Sequence, residues 1–183
     1  VSWKIKNFKW DNLFNYGEDN ELDFTKLAGT VGIFGKNYSG KSSVVDSLLY
    51  TIFNNTSKNI RKNYNIINEH KEQGSGEVEI EVGNKTYKIS RRSDKYVKKL
   101  KGQVTNEAKT DVEFACTDNV LNRTYNFNST ERHGTDRNIK KIFGSLEDFL
   151  LTSMSSQLGS MQFINEGSTR RKEILAKFLD LEF

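Results

Sequence analysis

The strictest alternation of apolar and polar positions runs through Glu77-Val78-Glu79-Ile80-Glu81-Val82, breaks at Gly83-Asn84-Lys85, and resumes through Thr86-Tyr87-Lys88-Ile89-Ser90-Arg91. A period of two on either side of a Gly-Asn turn predicts a β-hairpin with one buried face and one wet face. Acidic residues at every second position exclude the first run as a buried parallel strand. The same period, more weakly, predicts strands over 111–116 and 123–128. At the start of the chain Trp3 and Ile5 alternate, the phase slips to Phe8 and Trp10, and a polar turn at Asp11-Asn12 precedes a short antiparallel return strand from Glu21 to Phe24.

The period changes to that of a helix twice. Val44, Val45, Leu48, Leu49 and Ile52 fall on one helical stripe between Ser42 and Phe53, directly after the short apolar run Val31-Gly32-Ile33-Phe34 and a glycine-bearing loop. From Thr135, Ile139, Ile142 and Phe143, then Leu146, Phe149 and Leu150, repeat that spacing across a break at Gly144-Ser145, and a last helix is predicted from about Ser168 to Leu181. Asn54 to Gln73 reads as a structured loop around Ile66-Ile67. The order of elements predicts one α/β domain over 1–183, a mixed sheet with an added antiparallel β-layer and C-terminal helices.

Composition narrows the class. Hydrophobic residues are 35% and charged residues 28% of the 183, as in a soluble globular chain, with no apolar run of membrane-spanning length. The start carries no secretory apolar segment, so a cytoplasmic location is the expectation and no membrane partner is implied. Cys116 is the only cysteine and cannot form an internal disulfide; a half-buried strand position is expected for it. Two histidines and one cysteine offer no zinc-type ligand set. The net charge of +4 permits nucleic-acid contact without requiring it.

The strongest chemical signal is Gly35-Lys36-Asn37-Tyr38-Ser39-Gly40-Lys41-Ser42, the spacing G-x-x-x-x-G-K-[ST] set between a short apolar strand and an amphipathic helix. Glycines at both ends let the backbone wrap so that successive N–H groups face phosphate oxygens. The helix N-terminus adds partial positive charge, Lys41 adds a full one toward the β- and γ-phosphates, and the Ser42 hydroxyl is placed to ligate magnesium. ATP and Mg2+ are the implied cofactors, with Ser43 included in the phosphate-binding run. Tyr38 is bulky for such a loop and either points away from the nucleotide or covers it. Downstream there is no run of four apolar residues ending in Asp or Glu, the usual second element of a P-loop ATPase, so the chain carries half a site.

These features, taken with others, resemble the ATPase subunit of the SbcC type, the SMC-related ABC ATPase of double-strand-break-repair nuclease complexes in bacteria and phages. The resemblance rests on Trp10-Asp11-Asn12-Leu13-Phe14-Asn15-Tyr16-Gly17, on Gly40-Lys41-Ser42-Ser43 with Asp46 in the following helix, on Ile66-Ile67-Asn68, and on Tyr87-Lys88-Ile89-Ser90-Arg91-Arg92. It extends to Glu147-Asp148-Phe149 with Thr152 and Gln157, and to Arg170-Arg171, Ile174-Leu175 and Phe178-Leu179-Asp180-Leu181. It implies the N-terminal lobe of an ABC/SMC-type head over 1–183, whose last helix enters a coiled coil. The magnesium carboxylate and catalytic glutamate would lie in a C-terminal lobe.

The same resemblance implies that Gln157 is a Q-loop residue binding magnesium and positioning water, that Lys41 and Gln157 are the catalytic residues of this lobe, and that Phe14, Asn15 and Asn68 lie near the adenine or ribose. Implied partners are a second ATP-bound head in a homodimer, an SbcD-type nuclease and double-stranded DNA ends, in a bacterial cell or phage-infected host. Arg91, Arg92, Lys95, Lys98, Lys99 and Lys101 form a basic run that is either a DNA-phosphate contact or a solvated hairpin end. Two other readings stand beside this one. A stand-alone P-loop kinase or GTPase suits the length but lacks the second carboxylate and an Asn-Lys-x-Asp run; another SMC-like nucleotide-gated DNA clamp would share the same lobe.

Overall fold

The structure, a computed structural model, describes residues 3–24, 41–56, 60, 62–131 and 133–149. Among the described residues six antiparallel strands make one sheet in the order β2-β1-β3-β4-β5-β6, with β1 Trp3–Asp11, β2 Asn20–Asp23, β3 Gln73–Val82, β4 Lys85–Leu100, β5 Gln103–Asp118 and β6 Arg123–Asn126. Helix α1 spans Lys41–Phe53, α2 Gly134–Phe143 and the short α3 Leu146–Phe149. The mixed α/β class read from the sequence holds, as does the hairpin at Gly83-Asn84. The strand at 31–34, the loop at 35–40 and the helix at 168–181 fall outside the described residues.

The phase slip in β1 is a bulge. Ile5 pairs with Ile80 and Asn7 with Glu79, leaving Lys6 as the extra residue, so Ile5, Phe8 and Trp10 all face inward despite the odd spacing. On the outward face the strands alternate in charge: Lys4 and Lys9 on β1 lie opposite Glu81 and Glu77 on β3, and Lys88 and Arg92 on β4 lie opposite Glu79 on β3 and Asp111 on β5. Exposed pairs such as Lys88–Glu77 at 2.8 Å contribute little stability; register is set by the buried face, since a one-residue slip would turn the core residues outward.

The inward face carries the core. Ile5, Phe8, Trp10, Val78, Ile80, Tyr87, Ile89 and Phe114 pack with Leu48, Tyr50 and Ile52 of α1 and Ile139 and Phe143 of α2. Residues 46–52 of α1 are buried without interruption, so the helix is enclosed on every side. Helix and sheet meet at Gly76, where a Cβ would lie 1.9 Å from Thr51 Oγ1; no other residue fits that approach. Cys116 is more deeply placed than expected, 2% exposed on β5, and burial pushes its thiol pKa up.

β4 and β5 run well past the predicted strands. Pairing of β3 with β4 ends at Gln73 and Asp94, and β6 pairs only with 115–118, so from Lys95 to Ala108 the hairpin is a two-stranded ribbon. Lys101 and Gly102, at φ 48 and 78, form the tight turn that matches strand twist. Among the described residues no helix is long and apolar enough to cross a membrane.

Candidate nucleotide site

Of the phosphate-loop residues, Lys41, Ser42 and Ser43 open the first turn of α1, where backbone N–H groups lack intrahelical acceptors and the helix dipole is positive. Backbone N–H groups so placed suit an anionic ligand such as a phosphate. Gly35, Lys36, Asn37, Tyr38, Ser39 and Gly40 lie outside the described residues, and so does Gln157. Asp46, on the same helix, is 2% exposed.

The structure does bring the base-side candidates together. After β1 the chain turns sharply, with Asn12 and Phe14 both at φ 54, a left-handed conformation that is strained for a phenylalanine. The neighbouring loop holds it there. Phe14 N–H donates to the Ile66 carbonyl at 2.7 Å, Asn68 N–H donates to the Asn12 carbonyl at 2.8 Å, and Leu13 forms a bridge with Ile67. The Asn68 side chain donates to the Tyr16 carbonyl at 2.9 Å and accepts from the His70 N–H. Asn68 therefore staples the two loops, and its amide is occupied by protein groups. The backbone pairing of the two loops holds Phe14 in that conformation.

Phe14, Asn15, Tyr64, Asn65, Ile67, Glu69 and Lys95 line a cavity of about 420 Å³ between these loops, within the size range of small-ligand pockets. Asn15 is exposed on its rim. Lys95 donates to the carbonyls of Asn68 at 3.1 Å and Glu69 at 3.4 Å, and sits 4.8 Å from the centre of the Tyr64 ring.

The six-residue basic run is thus not one surface. Arg91 is 1% exposed and faces the core; Arg92 pairs with Asp94 at 2.9 Å and with Gln73; Lys95 turns back onto the cavity. Lys98, Lys99 and Lys101 are exposed on the ribbon, while Arg92, also exposed, has its guanidinium engaged by Asp94 and Gln73. Strand parity divides the run between the two faces of the sheet. Alternation places Tyr87, Ile89 and Arg91 on the same inward face, so a phosphate contact by Arg91 would require the core to open.

Sequence reasoning missed the polar groups around Arg91. Tyr50 Oη lies 2.5 Å from Ser93 Oγ, Ser93 Oγ lies 2.7 Å from Thr110 Oγ1, and Asn63 donates to Thr110 at 2.7 Å and to Asn54 at 2.8 Å. The parity of β4 was the available signal for Arg91 and Ser93; nothing local points to Asn63 or Thr110. Burial pushes the Tyr50 hydroxyl up to about 12.

Glu77 to Val82, the acidic strand, is antiparallel in the sheet and supplies no buried carboxylate to a nucleotide. Among the described residues no cluster of His, Cys, Asp and Glu could hold a metal ion.

Comparison with known proteins points to an ATPase family. An uncharacterized protein of Acanthamoeba polyphaga mimivirus is 29% identical over 184 residues, covering 98% of this chain and 13% of that protein. The DNA double-strand break repair Rad50 ATPase of Sulfolobus acidocaldarius is 32% identical over 88 residues, covering 48% of this chain and 10% of that protein. The chain spans a small fraction of the length of these curated relatives. A family described as an AAA domain matches residues 4–182, from within β1 through the phosphate loop and beyond α3, and the chain belongs to that family.

Proposed function

We propose that this chain is the triphosphate-gripping lobe of an ATPase head of the SMC and Rad50 kind, working in double-strand-break repair. The observation that carries the reading is the family match over 4–182 around a G-x-x-x-x-G-K-S loop that opens directly onto α1. The half-length similarity to a Rad50 ATPase supports the DNA-repair setting.

In this reading the N–H groups of 35–40, Lys41 and Ser43 hold the phosphates, and the Ser42 hydroxyl and Gln157 carboxamide hold magnesium. The bound ion would add Lewis-acid charge at the phosphates. The strained turn at Phe14 and Asn15, stapled by Asn68, presents the base-side cavity. Gln157 orients the attacking water, while the acid that activates it comes from a lobe outside this chain. Two such heads close on ATP, each completing the other's site, and reopening after hydrolysis controls an SbcD-type nuclease at DNA ends.

Calorimetry on the full-length protein tests the core of this. ATP is expected to bind with a magnesium requirement, and Lys41→Ala to reduce binding below detection, because the lysine supplies the one full charge on the terminal phosphates. Gln157→Ala is expected to keep ATP binding and lose the response to magnesium. Equal ATP affinity in the wild type and Lys41→Ala would refute the phosphate grip. Rapid magnesium-dependent turnover by residues 1–183 alone would refute the half-site.

A further inference from the structure

The C-terminal end of α1 is held by a charge that the helix does not supply. Its last turn contains no basic residue, yet the Arg91 guanidinium on β4 donates to the Thr51 carbonyl at 3.1 Å from Nε and to the Ile52 carbonyl at 3.2 Å from Nη2. Those carbonyls carry the negative end of the helix dipole. The same guanidinium meets both oxygens of Asp136 on α2, at 2.6 and 3.4 Å. Asn54 closes the helix at φ 55, its N–H donating to the Tyr50 carbonyl at 2.9 Å, and its side chain accepts from Asn63. Asn63 begins the 3-10 turn Asn63–Asn65, whose Tyr64 and Asn65 line the base-side cavity.

We propose that Arg91 is a positioning residue for nucleotide binding: by fixing the C-terminal end of α1 against β4 and α2, it sets where the other end of that helix presents Lys41 and Ser42. This rests on the nucleotide reading above. Thirteen helical residues span about 20 Å, so a tilt of about 3° at a loosened C-terminus displaces the N-terminus by about 1 Å. A misplacement of that size can reduce the efficiency of a preorganised site by about a hundredfold. Arginine is required because its planar fork reaches two carbonyls and a carboxylate together; a lysine ammonium on a flexible stem does not reproduce that geometry.

The test compares Arg91→Lys and Asp136→Asn with a purely structural control, Phe114→Leu, in the full-length protein. All are measured at a temperature where circular dichroism shows each one folded. Phe114→Leu is expected to lower Tm while holding ATP affinity within about twofold, since Phe114 packs only in the core. Arg91→Lys is expected to weaken ATP binding on the order of 10- to 100-fold, and Asp136→Asn to weaken it less, in the same direction. If Arg91→Lys does not fold, the comparison of Asp136→Asn with Phe114→Leu decides. Wild-type ATP affinity in folded Arg91→Lys, or in Asp136→Asn where Arg91→Lys does not fold, or a loss no larger than in Phe114→Leu, would overturn the positioning role and leave the nucleotide reading standing. Failure of the wild type to bind ATP would overturn both.

Discussion

Tyr87 and Arg91 stand on one face of one strand, four residues apart, and solve opposite problems. Tyr87 stacks on Phe114 with ring centres 5.7 Å apart and meets the edge of Phe143 at 5.4 Å, in a cluster that Phe127 completes. Apart from a Tyr87–Cys116 side-chain hydrogen bond, the cluster is held by apolar area leaving water and by close packing. Around Arg91 every contact is directional. The guanidinium pairs with two carbonyls and a carboxylate, and beside it a chain of hydroxyl and amide groups is paired from the buried Tyr50 and Ser93 out to the part-buried Thr110. The difference teaches where stability and placement come from. The aromatic half supplies free energy, while the polar half supplies little net free energy and fixes geometry.

The largest expected effect sharpens that division. Phe114→Ala removes a fully buried ring touching Tyr87, Phe127 and Phe143, and is expected to destabilise the fold by about 3–5 kcal/mol in urea unfolding. A loss under about 1 kcal/mol would mean that the aromatic cluster is not the main store of stability.

Tyr50→Phe probes the other half with a smaller expected effect. Deleting one buried hydroxyl while Ser93 keeps Thr110 is expected to destabilise the fold by about 1 kcal/mol at neutral pH. The sign changes in alkali. Tyr50 has a folded-state pKa of about 12 against the ordinary 10.0, so the unfolded chain loses its proton first; the hydroxyl's stabilisation is complete below pH 10 and is lost as pH rises toward 12. Between those limits the wild type should lose up to about 2–3 kcal/mol that Tyr50→Phe does not lose. Parallel stability curves for the two proteins from pH 9 to pH 12 would show that Tyr50 is not buried as described.

Much of this molecule is legible in its sequence because the sheet is one-sided. Alternation locates β3 and the first half of β4, the phase slip locates the bulge at Lys6, and the change of period locates α1 and the break at Gly144. The convergence of Phe14 and Asn15 with Ile67 follows from family likeness and not from spacing, since the two loops are joined by backbone bonds and by the Asn68 amide on the Tyr16 carbonyl, none of which leaves a periodic side-chain pattern. Arg91 is misleading because arginine beside arginine reads as surface, although strand parity already places one of the pair inside and the other outside. The length of the ribbon is not legible. Past Lys95 there is no buried face to impose alternation, and Lys98 to Leu100 pair with Gln103 to Thr105 almost wholly through the backbone.

That ribbon gives the smallest stability effect and the cleanest separation from the folded body. Tyr96, Val97, Leu100 and Val104 are exposed on it together with Lys98, Lys99 and Lys101, and no acidic residue lies between Lys95 and Asn106. Its base is tied down by Lys62–Glu107 at 3.1 Å. Replacing Lys98, Lys99 and Lys101 by glutamine touches no core residue and is expected to change stability by less than about 0.5 kcal/mol. If the ribbon meets duplex phosphates in the working protein, the same substitutions reduce the salt dependence of DNA binding by about 0.9 in log–log slope for each phosphate no longer neutralised, whatever the DNA sequence. The measurement is a salt titration of duplex binding by the full-length protein. An unchanged slope would remove the exposed lysines from the DNA path and leave the ribbon as a solvated projection of the sheet.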